Sequence, residues 1–299
     1  MKEKKRIAIL IIAMMVTMPA ICAISLVISD RQKENLKGPV KSVREYLLSK
    51  QKYYDADTVA LYKKLGKELP KYQKELFTDT RFDRQGRKTY EYDAVFERTN
   101  KYVYGVDGSM LPTLQNTKYS DGSSRRYEIV QDSNGFPQTG KAVNGDNDVI
   151  FTETYTYSKL ANGNLQMTVR HRDAASGNES VTMMVLRPDK TIAELIMGRH
   201  ILMDENEEPT EIKTNSEHIF IQHNGNTDIS GIYVNGQFKK QVERVKDQYG
   251  NMVKKTNYKH DGEVTTYTYK YDSHGNWISM TSSSGNGEPS VYIREITYY

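Results

Sequence analysis

The sequence predicts a mainly β chain: an N-terminal hydrophobic helix followed by a long antiparallel β-meander of hairpin repeats, with one short soluble helix. Three observations lead there. Residues 7–29 run without a charge, long enough for a membrane-spanning helix. Beyond Phe77 apolar and polar side chains alternate and are punctuated by Asn-Gly and Asp-Gly pairs, the strongest short-range hairpin signal. Tyrosine, with 22 copies, recurs at alternate positions between those turns, where side chains two apart share one face of a sheet.

Ahead of the apolar run, Lys2, Lys4, Lys5 and Arg6 form a basic flank. Such a flank stays cytoplasmic and sends the rest of the chain outward. Residues 1–31 therefore read as a signal-anchor or a signal peptide, with the membrane as a partner through residues 7–29. Ala23-Ile24-Ser25 offers a small-x-small cleavage site, and Cys22 is a lipidation candidate, although Ile21 stands where a small residue is expected. Cys22 is the only cysteine, so the exported body can form no internal disulfide and no thiolate metal site. The formal net charge of +4 belongs mostly to the leader, and the remainder carries no clustered basic face. Nucleic acid is thereby argued against as a partner.

Residues 32–41 read as a linker ending at Gly38-Pro39, and residues 42–299 as a β-repeat domain. Within it, Asp57 to Leu69 is the one convincing soluble helix. Val59, Leu61, Tyr62, Leu65 and Leu69 fall near helical spacing, Asp57 is a plausible N-cap and Pro70 a stop. Its apolar stripe is expected to pack over a sheet end. Toward the C-terminus, turn glycines at 225, 236, 250, 262, 275 and 287 recur at one strand plus one turn. The acidic stretch from Met203 to Glu211, with Pro209, reads as a surface loop that divides the body into two sections near 203–211. Because each hairpin covers only its neighbours, the expected shape is a long twisted or curled meander rather than a compact sandwich.

One segment states the repeat most fully: Tyr269, Tyr271, Asp272, Gly275, Asn276 and Trp277 within Tyr269-Lys270-Tyr271-Asp272-Ser273-His274-Gly275-Asn276-Trp277-Ile278. The tyrosines end a strand, Asp272 can accept backbone N–H groups as an Asx-turn, Gly275 supplies a positive φ and Trp277 opens the next strand. Degenerate copies occur at Phe82-Asp83-Arg84-Gln85-Gly86-Arg87 and Lys246-Asp247-Gln248-Tyr249-Gly250-Asn251. This Tyr-x-Tyr-Asp-x-x-Gly-Asn pattern resembles the YD repeat of the Rhs family of bacterial envelope and secreted proteins. The opening Leu36 to Val43 and the closing Arg294 to Tyr299 are similar to envelope proteins that carry degenerate copies of it. The resemblance implies a bacterial cell-envelope location and a strand-turn unit. It does not bring over the toxin-enclosing shell of large Rhs proteins, for which this chain is too short.

Chemistry is sparse. The histidines at 171, 200, 218, 223, 260 and 274 are scattered, and His218 and His223 point to opposite strand faces. Asp146, Asp148 and Glu153, and Asp204, Glu205, Glu207 and Glu208, lack the ligand order of a calcium loop and read as solvated charge. No catalytic residue, metal site or cofactor is expected, and no enzyme. Tyr267, Tyr269 and Trp277 are candidates for stacking a sugar if their face is open. Sheet edges offer a second route, strand addition by a partner protein. The expected function is that of a noncatalytic, envelope-anchored protein with a structural or protein-interaction role. Its rivals are a glycan-binding module and a polysaccharide-acting hydrolase.

Overall fold

The computed structural model describes residues 29–50, 56–70, 72–105, 109–188, 192–203, 209–285 and 287–299, and within them the side chains other than those of 56 and 197–218. The strands are β1 (Val40–Lys50), β2 (Tyr72–Phe82), β3 (Lys88–Asp93), β4 (Arg98–Tyr104), β5 (Pro112–Tyr119) and β6 (Ser124–Gln131). They continue through β7 (Pro137–Asn144), β8 (Val149–Lys159), β9 (Leu165–Asp173), β10 (Glu179–Leu186), β11 (Ile192–Met203) and β12 (Pro209–Asn224). The last six are β13 (Thr227–Val234), β14 (Gln237–Lys246), β15 (Met252–Asn257), β16 (Glu263–Tyr271), β17 (Trp277–Ser284) and β18 (Ser290–Tyr298). Helix α1 (Asp30–Lys33) precedes β1, and α2 (Ala56–Lys64) lies between β1 and β2.

All eighteen strands belong to one sheet. Each pairs antiparallel with its predecessor and successor, and β18 returns to β1, from Val40 opposite Tyr298 to Leu48 opposite Val291. The molecule is a closed up-and-down barrel, which corrects the expected meander. A meander would leave β1 and β18 as bare edges with unpaired N–H and C=O groups, and closure satisfies both at once.

The hydrophobic helix is corrected too. Among the described residues no helix is long and apolar enough to cross a membrane. Nothing described therefore supports a membrane-spanning signal-anchor, and of the expected 1–31 segment with its apolar run at 7–29, residues 1–28 lie outside the described residues. Ser29, expected as the last residue of the apolar run, instead caps α1: its side chain accepts from the Gln32 amide while the Gln32 side chain accepts from its own N–H.

Alternation sets the two faces of the wall. Along β8, Glu153 and Tyr155 are buried and Tyr157 half-buried, whereas Thr152, Thr154, Thr156 and Ser158 are exposed. Along β16, Tyr267, Tyr269 and Tyr271 turn inward, and Thr266, Thr268 and Lys270 outward. On β6 the outward residues are Arg126, Glu128 and Val130. A lipid-facing wall needs an apolar outer band, and Arg or Lys there costs about 2–4 kcal/mol each at the bilayer midplane. These outer faces suit water. The core is a lining rather than a centre, in three clusters: Tyr155, Met167, Val169, Met184 and Leu186; Leu36, Val40, Val43 and Phe82; and Tyr127, Ile129 and Ala142.

The two mouths differ. The Asp-x-x-Gly turns, at 83–87, 132–136, 247–251 and 272–276, all join an even strand to the next odd one and so share one mouth with the chain ends of β1 and β18. At the other mouth two hairpins overreach their neighbours. β2 pairs with β1 as far as Tyr72, but with β3 only from Thr78. β12 pairs with β11 from Pro209, but with β13 only from Phe220. Residues 204–208, with Asp204, Glu205, Glu207 and Glu208, lie outside the described residues, and β11 and β12 pair directly on either side of them. Helix α2 rides on the β1–β2 hairpin. Its stripe does not pack over a sheet end as expected: Val59, Leu61 and Leu65 are 41%, 52% and 54% exposed.

Candidate functional site

The three Asp-x-x-Gly copies singled out in the sequence converge on one stretch of chain. In each, the Asp N–H donates to the carbonyl of the fifth turn residue and the Gly N–H returns to the Asp carbonyl, as Asp272 does with Asn276 and Gly275. The Asp carboxylate then accepts the amide of the fifth residue: Arg87 to Asp83 at 3.0 Å, Asn251 to Asp247 at 2.9 Å and Asn276 to Asp272 at 2.9 Å. Gly275 sits at φ +80°, which only glycine adopts without strain.

In two of the three the second carboxylate oxygen locks the turn to the next hairpin, whereas that of Asp83 accepts from Arg87 of its own turn at 2.7 Å. Tyr271 on β16 donates to Asp247, and Tyr298 on β18 donates to Asp272. The turn asparagines bind the same hydroxyls, Asn251 to Tyr271 at 3.2 Å and Asn276 to Tyr298 at 2.8 Å. Burial disfavours ionisation of Asp272, but the Tyr298 hydroxyl and the Asn276 and His274 amides outweigh it and hold the carboxyl below its ordinary value. Tyr298 moves the other way, pushed up to about 12 by burial and by its bond to Asp272.

Residues 29–38, which include most of the expected linker, lie across this mouth as a strap. Asn276 grips the Lys37 peptide on both sides, accepting its N–H at 2.7 Å and donating to its carbonyl at 2.9 Å. Asn35 donates to the Tyr249 carbonyl at 2.7 Å and to Asn251 at 3.0 Å. The Arg31 N–H donates to the Gly86 carbonyl and its guanidinium to the Arg84 carbonyl at 2.9 Å. Asp30 accepts from the Lys88 amide and the Tyr104 hydroxyl, and Glu34 pairs with Lys88 at 2.8 Å. Because these turns flank β1 and β18 on both sides, the strap bridges the line where the barrel closes. Beside it an open cleft of about 600 Å³ is lined by Arg31, Lys37, Gln85 and Met110. The strap has one local sequence signal, the capping box Ser29-x-x-Gln32.

The remaining singled-out residues are placed as follows. Trp277 is buried, with the Arg294 guanidinium 3.6 Å from its ring centre. Tyr269 donates to the Met252 carbonyl at 2.7 Å and stands 6.1 Å from Trp277, and Tyr267 is half-buried on the same inner face. Asp146 and Asp148 sit in an exposed turn stitched by Asn144. Glu153 is elsewhere: 2% exposed inside the wall, it accepts from Tyr127, from Tyr155 at 2.6 Å and faces His171 Nδ1 at 3.1 Å. That network was not foreseen. Among the described residues no cluster of His, Cys, Asp and Glu could hold a metal ion. The side chains of His200 and His218 lie outside those described.

No family model matches the chain, and no curated protein matches it. The YD-repeat likeness therefore remains a resemblance. Among solved structures, a porin-like protein from Bacteroides uniformis is 12% identical with a TM-score of 0.40, over 87% of this chain and 99% of that one. The chain is also similar to TcdB2-TccC3, at 8% identity and a TM-score of 0.26 over 74% of this chain, and to TcdB2-TccC3 without its hypervariable C-terminal region, at 10% and 0.19 over 81%. It spans 14% and 18% of those two chains.

Proposed function

We propose that the chain is a noncatalytic barrel of the bacterial cell envelope, with a structural or protein-interaction role and with its wall in water. The observation that carries this reading is the use made of the motif residues. Asp247, Asn251, Asp272 and Asn276 spend their side chains on the turns, on neighbouring tyrosines and on the chain's own strap. That is how a scaffold uses polar groups. The envelope location rests on the basic and apolar leader of residues 1–28, read as an export signal.

The rival readings find less support in the geometry. A sugar-stacking platform needs an open ring, and Trp277 is covered by Arg294. A hydrolase needs two carboxylates across a cleft, whereas both oxygens of buried Glu153 are engaged by protein groups and Asp146 and Asp148 sit in an exposed turn.

The test is crosslinking of the tagged full-length chain in intact cells, with mass spectrometry of the envelope fraction. A reproducible protein partner is the expected result. Recovery of saccharide fragments without a protein would overturn the reading in favour of glycan binding.

A further inference from the structure

The wall is closed, yet β2 keeps an open edge before Thr78, as β12 does before Phe220, where the side chains as far as 218 lie outside those described. Over residues 72–76 the only described strand that pairs with β2 is β1, from Tyr46 opposite Leu76 to Lys50 opposite Tyr72. On the other side β3 has ended at Asp93, and the last backbone bond is from Ala94 N to the Phe77 carbonyl. All five residues from Tyr72 to Leu76 are exposed. β1 stays paired with β18 as far as Leu48, so the bare edge is the β3 side of β2, and α2 leaves its own apolar residues exposed rather than packing them there.

We propose that residues 72–76 receive an extended segment of a partner protein by strand addition. This rests on the interaction reading above and names its surface. A bare edge offers backbone N–H and C=O groups in register, and side chains on alternate positions choose the sequence. Here one face presents Tyr72, Lys74 and Leu76 in a row. Tyr72 is 47% and Leu76 39% exposed, two apolar sites with a cation between them. Lys74 already lies over the Tyr46 ring and pairs with Glu295, so its charge is held at that face. Among the described residues of the same insertion, exposed Lys63, Lys64 and Lys67 outnumber exposed Asp57 and Glu68, a small positive excess at the rim. The matching strand carries an acidic side chain between two apolar ones, all on one face, because cross-strand neighbours favour opposite charge and apolar contact.

The probe is a labelled peptide, acetyl-Thr-Val-Thr-Glu-Thr-Val-Thr-amide, titrated into the full chain, with hydrogen exchange read across the whole sequence. The expected result is saturable binding that slows exchange at residues 72–77, and that weakens about tenfold when alternate peptide nitrogens are methylated. Lys74→Glu should weaken this peptide and restore affinity for its central-lysine counterpart, and Leu76→Lys should weaken both. Binding that ignores methylation and charge, or that protects another region, overturns the proposal. So does a dimer of this chain that the same substitutions abolish, since the edge would then serve a second copy. Crosslinking in cells separates the two levels. A partner retained by the Lys74→Glu and Leu76→Lys chain overturns the edge and leaves the interaction reading standing, whereas no protein partner for the natural chain removes that reading and leaves the peptide result to decide the edge.

Discussion

Glu153 is a buried carboxylate with three polar partners. It is 2% exposed and held by Tyr127, Tyr155 and His171, so Glu153→Ala would take a shared carboxylate from all three, while the two tyrosine hydroxyls keep their bond to each other. The expected loss is about 3 kcal/mol, read from the shift in a urea unfolding midpoint. Gly140 makes the same network possible from below, since a Cβ there would overlap the Tyr127 hydroxyl and ring. Gly140→Ala should lose about 1–3 kcal/mol by the same measurement, and the double variant should lose less than the sum because both act through Tyr127. The network was half legible. Residues 153, 155 and 157 share one face by parity, but Glu153 was grouped with Asp146 and Asp148 by nearness in sequence, and nearness across a strand end says nothing about face.

At the scale of elements, the turns were readable and the strap was not. An Asp-x-x-Gly turn is closed by bonds between residues two to four apart, so its chemistry is local. The strap depends on partners 214 and 239 residues away, which no periodicity reveals. Helix α2 was read in place but with its stripe packed inward, because an apolar stripe in a sequence does not say whether anything meets it. The depressed Asp272 carboxyl has a definite pH sign: its contribution is present above the ordinary aspartate value of about 4 and is lost as pH falls through the lower folded value. Melting curves between pH 6 and about 2.5 should therefore show a drop in the natural chain that is smaller in Asp272→Asn. Asn276→Ala should release the Lys37 peptide, seen as faster amide exchange across residues 35–38 with little change in strands β6 to β10.

At the scale of the whole molecule, the strand-plus-turn rhythm is legible from the turn glycines, and closure is not. Whether the last strand meets the first depends on twist and stagger summed over eighteen strands, a quantity no local pattern states. Closure makes the seam cooperative. Val43, 3% exposed, packs with Leu36, Val40 and Phe82 on the β1 side and with Ile296 and Tyr298 on the β18 side. Val43→Asp should therefore lose exchange protection at residues 42–48 and 291–298 together, whereas a meander open between its ends would lose it on the β1 side alone. The seam also has a history. Tyr46 and its partner Glu295 are 249 residues apart, and at about 5–20 residues per second a ribosome needs about 12–50 s to make the second after the first. For that interval the first strand of every new copy waits beside its neighbour with one side bare, in whatever compartment it has reached. A chain built this way is most vulnerable to wrong pairing when it is young, and crowding by sister copies or a missing chaperone should lower its yield far more than it troubles the finished barrel.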